Sequence, residues 1–224
     1  MLTYSHIEEM NIKQTTLTVV VNALDKLLSQ VLAEEIKKKL GDKTFEKIEA
    51  RINERYKITT VDAIRDFQKL DATLREFFGP GADSMERDFL ENLISLDTPK
   101  KERTWLVIQN EDLAQLILSS YGDKEKKRIM DSAFVKPGVI QDILERCNIP
   151  KSTGYRIINE LVDDGLLTEK GHTETEDGKK VITYTSLFEN VRIDITYGKL
   201  SVKVQLKEEV LQASFLVRIL RELQ

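Results

Sequence analysis

The chain has one cysteine, Cys147, two histidines, His6 and His172, and four prolines in 224 residues. A single cysteine excludes an internal disulfide and fits a reducing cytoplasm. Two histidines far apart in sequence would leave a zinc site to be completed by several carboxylates, so no metal is expected. The apolar run Leu17 to Val21 is too short to span a bilayer. It has no basic region before it and no small-residue cleavage site after it, so neither a membrane segment nor a signal peptide is expected. The loop "FGPG" at 78–81 lacks the lysine and Ser/Thr that a phosphate-cradling loop carries directly after its glycines. There is no cofactor motif, no recognisable nucleophile–base set, no internal repeat and no low-complexity tract. An enzyme is not expected, and neither is a cofactor.

What is present is a helix-leaning globular composition, with 32% charged and 41% hydrophobic residues and a formal net charge of −4. Residues 1–95 read as an N-terminal helical domain with a sensor or partner-binding role, where a protein or small-molecule effector would act. Its first helix is expected from about Thr18 to Leu40, with Val20, Leu24, Leu27, Leu28, Val31, Leu32, Ile36 and Leu40 at helical spacing and Gly41 ending it. The run "EEIKKKL" within it reads as a solvated helix face. A second helix is expected over Thr44–Tyr56. A third runs from Val61 to Phe78, capped by Thr59 or Thr60, with Ile64, Phe67, Leu70, Leu74 and Phe77 on one face. A short helix, Met85–Ile94, closes the bundle.

Residues 96–110 read as a linker, since "SLDTPKKER" raises polarity and a proline interrupts the periodicity. The apolar run "TWLVIQ" within that stretch suits a strand or a helix start. Asp112–Tyr121 reads as a helix. From Gly122 the chain predicts a short helix, "DKEKKRIMDSAF", a "KPG" turn, a second helix, "VIQDILERCN", and a third over Lys151–Asp163. Two strands around a polar loop follow. Helix, helix, helix, hairpin is the order of a winged helix-turn-helix, here assigned to 111–188. The expected fold class is therefore mainly α with small β: an N-terminal helical bundle, a winged helix-turn-helix, and a C-terminal β-hairpin and helix over 189–224.

In that last part, "VRIDITYGKLSVKVQL" predicts a hairpin whose two-residue loop is Gly198-Lys199 in a type II′ turn. This pairs Tyr197 with Leu200, Ile195 with Val202, Ile193 with Val204 and Val191 with Leu206, and sets Asp194 opposite Lys203. One continuous helix is then expected over about Lys207–Leu223. Its apolar face, Leu211, Phe215, Leu216, Ile219, Leu220 and Leu223, either packs on its own chain or pairs with a second copy as a homodimer.

The stretch "NIPKSTGYRIINELVDDGLL", 148–167, divides into two faces. Ile149, Gly154, Ile157, Ile158, Leu161 and Leu166 fall at core spacings, with Gly154 small where the helix would cross the one before it. Lys151, Ser152, Thr153, Tyr155, Arg156 and Asn159 remain as a donor-rich face on the first turns, suited to bases and phosphates in a major groove. Arg156 matches guanine bidentately and Asn159 matches adenine. Lys151, Ser152 and Thr153 lie at the positive helix N-terminus, where phosphate oxygens are favoured. Cys147 falls on the core side and reads as a buried small hydrophobe. Asp163-Asp164 reads as a solvated helix end, and "DKEKKR" either as a solvated face or as a contact to the DNA backbone.

The pattern "GVIQDILERCNIPKSTGYRIINELVDDGLLTEKG" followed by "GKKVITYTSLF" resembles the winged helix-turn-helix of archaeal transcriptional regulators in the broad ArsR/MarR/TrmB-like group. The resemblance covers roughly 123–188. It implies double-stranded DNA as the partner, Lys151–Leu161 as the recognition helix and Leu166–Thr185 as the wing. The DNA contacts it implies come from Lys151, Ser152, Thr153, Tyr155 and Arg156, and from Lys179 or Lys180 in the wing. The wing departs from the pattern by carrying Glu174, Glu176 and Asp177 beside its lysines. The segment "FQKLDATLREFFGPGADSMERDFLENLI" is similar to the end of the small helical output domains of ammonia-oxidising archaea, the Nitrosopumilus output domain type, which implies a regulatory setting and no defined chemistry. The functional expectation is a DNA-binding transcriptional regulator. The alternative is a protein-interaction scaffold that uses the winged domain for docking, which the acidic total and acidic wing favour.

Overall fold

The computed structural model describes residues 24–98, 103–175 and 178–223, without the side chains of 209, 213 and 223. The expected start of the first helix, the apolar run Leu17 to Val21, the wing acids Glu176 and Asp177 and the Leu223 side chain lie outside what is described. The protein is mainly α with small antiparallel β. No described helix is long and apolar enough to cross a membrane.

Helix α1 is described over 24–40 and is followed by α2, Asp42–Tyr56. Leu24, Leu28, Leu32 and Ile36 of α1 and Ile48 and Ile52 of α2 are fully or almost fully buried. These are the i, i+4 rows that a 3.6-residue period aligns on one face. The expected third helix is two: α3, Thr60–Arg65, and α4, Phe67–Phe78, broken at Asp66, whose φ of −104° and ψ of 73° are not helical. Thr59 caps α3, its hydroxyl accepting the Asp62 N–H at 3.1 Å. The restart at Phe67 aligns Phe67, Leu70, Leu74 and Phe78 with the core and leaves Phe77 exposed, against expectation. A short 3₁₀ turn at Gly79–Gly81 leads into α5, Ala82–Leu93.

The stretch expected as a linker builds secondary structure instead. Strands β1, Ile94–Asp97, and β2, Trp105–Ile108, form an antiparallel pair, and the Asn110 side chain caps α6, Glu111–Gly122, by accepting the Leu113 N–H at 2.9 Å. Next come α7, Lys124–Val135, α8, Ile140–Cys147, and α9, Lys151–Asp163, followed by β3, Leu167–Glu174, and β4, Lys180–Ser186, which pair with each other. Gly138, ahead of α8, bridges Tyr184 of β4 through both backbone groups, at 3.2 and 2.8 Å.

Strands β5, Asn190–Thr196, and β6, Lys199–Gln205, form the expected hairpin in a different register. The loop is Tyr197-Gly198, with φ of 51° and 76°, and Thr196 pairs with Lys199. Two positive φ values are what a type I′ turn requires, and its twist matches that of the flanking strands. Ile195 therefore faces Leu200, Ile193 faces Val202 and Val191 faces Val204, while Asp194 faces Ser201. The offset from expectation is two residues on one strand, so every side chain keeps its face and the Asp194–Lys203 pair is lost. Packing of the wider sheet explains the choice. β6 also pairs with β2, giving a four-stranded order β1-β2-β6-β5. The observed register lines up Leu96, Leu106, Val204 and Val191 in one apolar row and Ile94, Ile108, Val202 and Ile193 in the next. Lys203 pairs instead with Asp97 of β1, at 2.8 Å.

The expected last helix is also broken, into α10, Glu208–Ala213, and α11, Phe215–Leu223. Ser214 starts α11, its hydroxyl accepting the Val217 N–H at 3.3 Å. The same hydroxyl donates to Asp25 Oδ1 of α1 at 2.6 Å, and the Phe215 N–H donates to Asp25 Oδ2 at 3.2 Å. A carboxylate at the positive end of a helix is stabilised by it. Burial nevertheless pushes the Asp25 carboxyl above its ordinary range, against the pull of the Ser214 and Phe215 hydrogen bonds. Leu211, Leu216 and Leu220 are buried in the same core as α1 and α5, so the apolar face of the last helices is covered by its own chain. Phe215 packs on Phe67 with ring centroids 6.2 Å apart.

Candidate nucleic-acid interface

Helix α9 follows α8 through Asn148, a left-handed C-cap at φ 50° and ψ 50°, and Pro150, which precedes the first helical residue. The chain thus turns sharply and restarts, and α9 crosses α8 at Gly154. A β-carbon added at Gly154 would meet Leu144 Cδ2 at 2.3 Å, Cδ1 at 2.6 Å and Cγ at 2.9 Å. No other residue allows so close an approach of the two helices. Ile157, Ile158 and Leu161 continue the buried face, as expected.

The opposite face presents Lys151, Ser152, Tyr155, Arg156 and Asn159 to solvent, with Thr153 half-buried. Five of the six expected donor residues on α9 are therefore exposed, and they share one side of one helix. Lys151 makes no ion pair among the described residues, and neither Ser152 nor Asn159 is tied to a neighbouring side chain among them. Arg156 is engaged: its guanidinium donates to Glu160 one turn on, and Glu160 also meets Lys126 of α7 at 3.3 Å. The hydrogen bonds from Lys126 and Arg156 hold the Glu160 carboxyl below its ordinary range. The two cations of α9 lie in its first half and its two acids in its last turn, so positive charge is concentrated near the helix start.

Lys179 and Lys180 lie at the far end of the β3–β4 hairpin, and both are exposed. The turn beside them is closed by Thr175, whose N–H donates to Lys179 O at 2.9 Å and whose hydroxyl accepts the Lys179 N–H at 3.2 Å. Lys180 is the ladder partner of Glu174, so the positive charge at this tip is partly balanced by its neighbour.

Cys147 is buried, with its thiol donating to Arg128 O at 3.3 Å. The carboxylates of Asp71, Asp83 and Glu86 come within 4.8 Å of one another, close enough to offer ligands to a cation. Arg75 already bridges Asp71, at 2.7 Å, and Asp83. Burial, followed by the neighbouring Asp71 carboxylate, pushes Glu86 up to about 8. Arg75 and the proton held by Glu86 thus offset most, but not all, of the cluster's negative charge.

Sequence reasoning missed a groove of about 740 Å³ between α1, α6 and the end of α9. It is lined by Leu27, Val31 and Leu116 with Glu34, Glu35 and Lys38, and by Asp163 and Asp164 of α9. The run "EEIKKKL" borders it, and Asp163-Asp164 is a groove wall as well as a helix end. No local sequence signal marks this groove, because its walls come from α1, α6 and α9, far apart in the chain. No family model, curated protein or solved structure matches this chain.

Proposed function

We propose that the chain is a DNA-binding transcription regulator, with α7, α8, α9 and the β3–β4 hairpin acting as a winged helix-turn-helix and α9 as its recognition helix. The observation that carries the reading is the division of α9. One face is locked to α8 through the Gly154–Leu144 contact, and the other offers Lys151, Ser152, Tyr155, Arg156 and Asn159 to solvent. Arg156 and Asn159 read base edges, Lys151 and Ser152 hold phosphate at the helix start, and Lys179 and Lys180 touch the backbone from the wing. Glu160 keeps Arg156 extended along the helix until a guanine or phosphate replaces it. The groove beside α9 gives the N-terminal helices a route to that helix, because an effector seated there would touch Asp163 and Asp164.

Fluorescence anisotropy with genomic fragments at two salt concentrations tests the reading. Affinity falls with salt at a slope of about −0.9 per neutralised phosphate. Lys151→Ala reduces that slope by about one, and Arg156→Ala costs about 1–3 kcal/mol on the specific site. DNA binding that is absent, or indifferent to salt, removes the proposal. The second reading, a docking scaffold, is favoured by the net charge of −4 and by the Glu174–Lys180 pairing at the wing tip. It predicts no DNA affinity and protein-partner capture unchanged by Arg156→Ala and Lys151→Ala.

A further inference from the structure

Strand β5 is an edge of the four-stranded sheet, and apart from the charges of Arg192 and Asp194 it lacks the features that usually keep an edge from pairing. It is seven residues long, "NVRIDIT", with no proline, glycine, lysine or bulge. The opposite edge, β1, has only four residues. At the β5 end the apolar face of the sheet runs out into solvent, with Ile195 67% exposed and Tyr197 fully so. Between this strand and α7 lies a groove of about 330 Å³ lined by Tyr121, Met130, Phe134, Val191 and Ile193.

We infer that β5 pairs antiparallel with β5 of a second copy of this chain about a two-fold axis at Ile193, joining two sheets into one of eight strands. Hydrogen-bonding phase comes first. In a hairpin with a two-residue loop the closing pair, Thr196 and Lys199, is doubly bonded, and so is every second pair beyond it. Asn190, Arg192, Asp194 and Thr196 therefore spend their backbone groups on β6, while Val191, Ile193 and Ile195 point theirs outward. A two-fold partner must offer outward groups to outward groups, which restricts the axis to a residue centre.

Charge and length then select the residue. An axis at Arg192 sets Arg192 against its own copy, and one at Asp194 sets Asp194 against its own copy, both repulsive. An axis at Val191 or Ile195 pairs only three strand residues on each side. At Ile193 all seven are paired: Asn190 with Thr196, Val191 with Ile195, and Arg192 with Asp194, twice over by symmetry. Asp194 makes no ion pair among the described residues, and the described partner of Arg192 is the Trp105 ring, 5.2 Å from its guanidinium carbon. Both charges are thus available to a partner. Because the axis is perpendicular to the sheet, the apolar rows continue across it, and the added Ile193 and Ile195 side chains lie on the face that borders the groove.

The interface is separate from α9, so pairing occurs without DNA and its test does not depend on the DNA reading. Sedimentation and light scattering of the full chain across the micromolar range should give twice the 25.8 kDa of one chain. Arg192→Asp and Asp194→Arg each set like charges opposite one another at two symmetric positions. Each should weaken self-association by about tenfold or more. The double variant R192D/D194R restores opposite charges and should restore the dimer. Both positions are exposed, and circular dichroism with thermal melts confirms that the singles remain folded. A monomeric wild-type chain, single variants that associate as wild type, or a double variant that stays dissociated would each overturn the inference.

Discussion

Replacing Gly154 with alanine tests whether the α8–α9 crossing is as tight as the geometry requires. Elsewhere in a helix this change gains about 1 kcal/mol in backbone propensity. Here the new methyl lands 2.3 Å from Leu144 Cδ2 and 2.9 Å from Cγ, and Leu144 is itself almost fully buried. Rotating a terminal methyl relieves the first contact but not the second, so α9 must shift or Leu144 must leave its rotamer. Overpacking of this kind costs about 1–3 kcal/mol, and the propensity gain leaves a net loss of up to about 2 kcal/mol. For a chain of this length each kcal/mol lowers the melting midpoint by about 2–4 °C. Urea titration and thermal melts of Gly154→Ala measure it. Trimming the neighbour gives a second arm. Leu144→Ala alone should cost about 2–5 kcal/mol, and the double variant should lose less than the sum of the two singles, because the alanine methyl fills space that Leu144 vacated. A Gly154→Ala protein at least as stable as wild type, together with additive effects in the double, would show that the helices do not meet at this point.

Asp25→Ala leaves the Ser214 hydroxyl and the Phe215 N–H without their buried acceptor and should cost about 1–3 kcal/mol. Hydrogen exchange should then speed up first in α11, and exchange unchanged there would argue against the cap. Glu86 holds its proton in the folded chain up to about pH 8 and loses it near 4.5 when unfolded. Between those values the folded state binds more protons, so stability is fully present below about pH 4.5 and falls as pH rises, by up to about 1.4 kcal/mol per unit from this group. Glu86→Gln should flatten that decline and raise stability at pH 8 relative to wild type. Identical pH–stability curves for the two proteins would refute the assignment.

What the sequence made legible follows the range of the interactions involved. The helices with strong 3.6-residue periodicity were found because the signal is local, and the division of α9 into Ile157, Ile158 and Leu161 inside and Lys151, Tyr155 and Arg156 outside came from the same rule. Gly154 was readable because only one residue type fits a close crossing. Breaks at Asp66 and Ser214 were not read, although a serine before "FLV" is a helix-start signal, because the apolar pattern runs on through them. The hairpin register failed on a choice between two turns that share Gly198, and the decision was made by β2, about a hundred residues away in sequence. The "linker" was strand for the same reason: four apolar residues, "WLVI", say nothing local about which strand will accept them. The acids and lysines around the large groove looked like ordinary solvated helix positions because their neighbours on α6 and α9 come from distant parts of the chain.

The pairing of β2 with β6 and the capping of α11 by Asp25 have a consequence for how the chain is made. The helices near the beginning have their core completed by segments near the end, and the whole α6–β4 region is synthesised between them. A nascent chain that has just released β4 still presents the open edge of β2 and the uncovered faces of α1 and α5. Contacts of such long sequence separation form slowly and leave apolar surface exposed in the meantime. The fold therefore closes only once β6, α10 and α11 have been made, and removing those elements should leave the β2 edge and the faces of α1 and α5 uncovered.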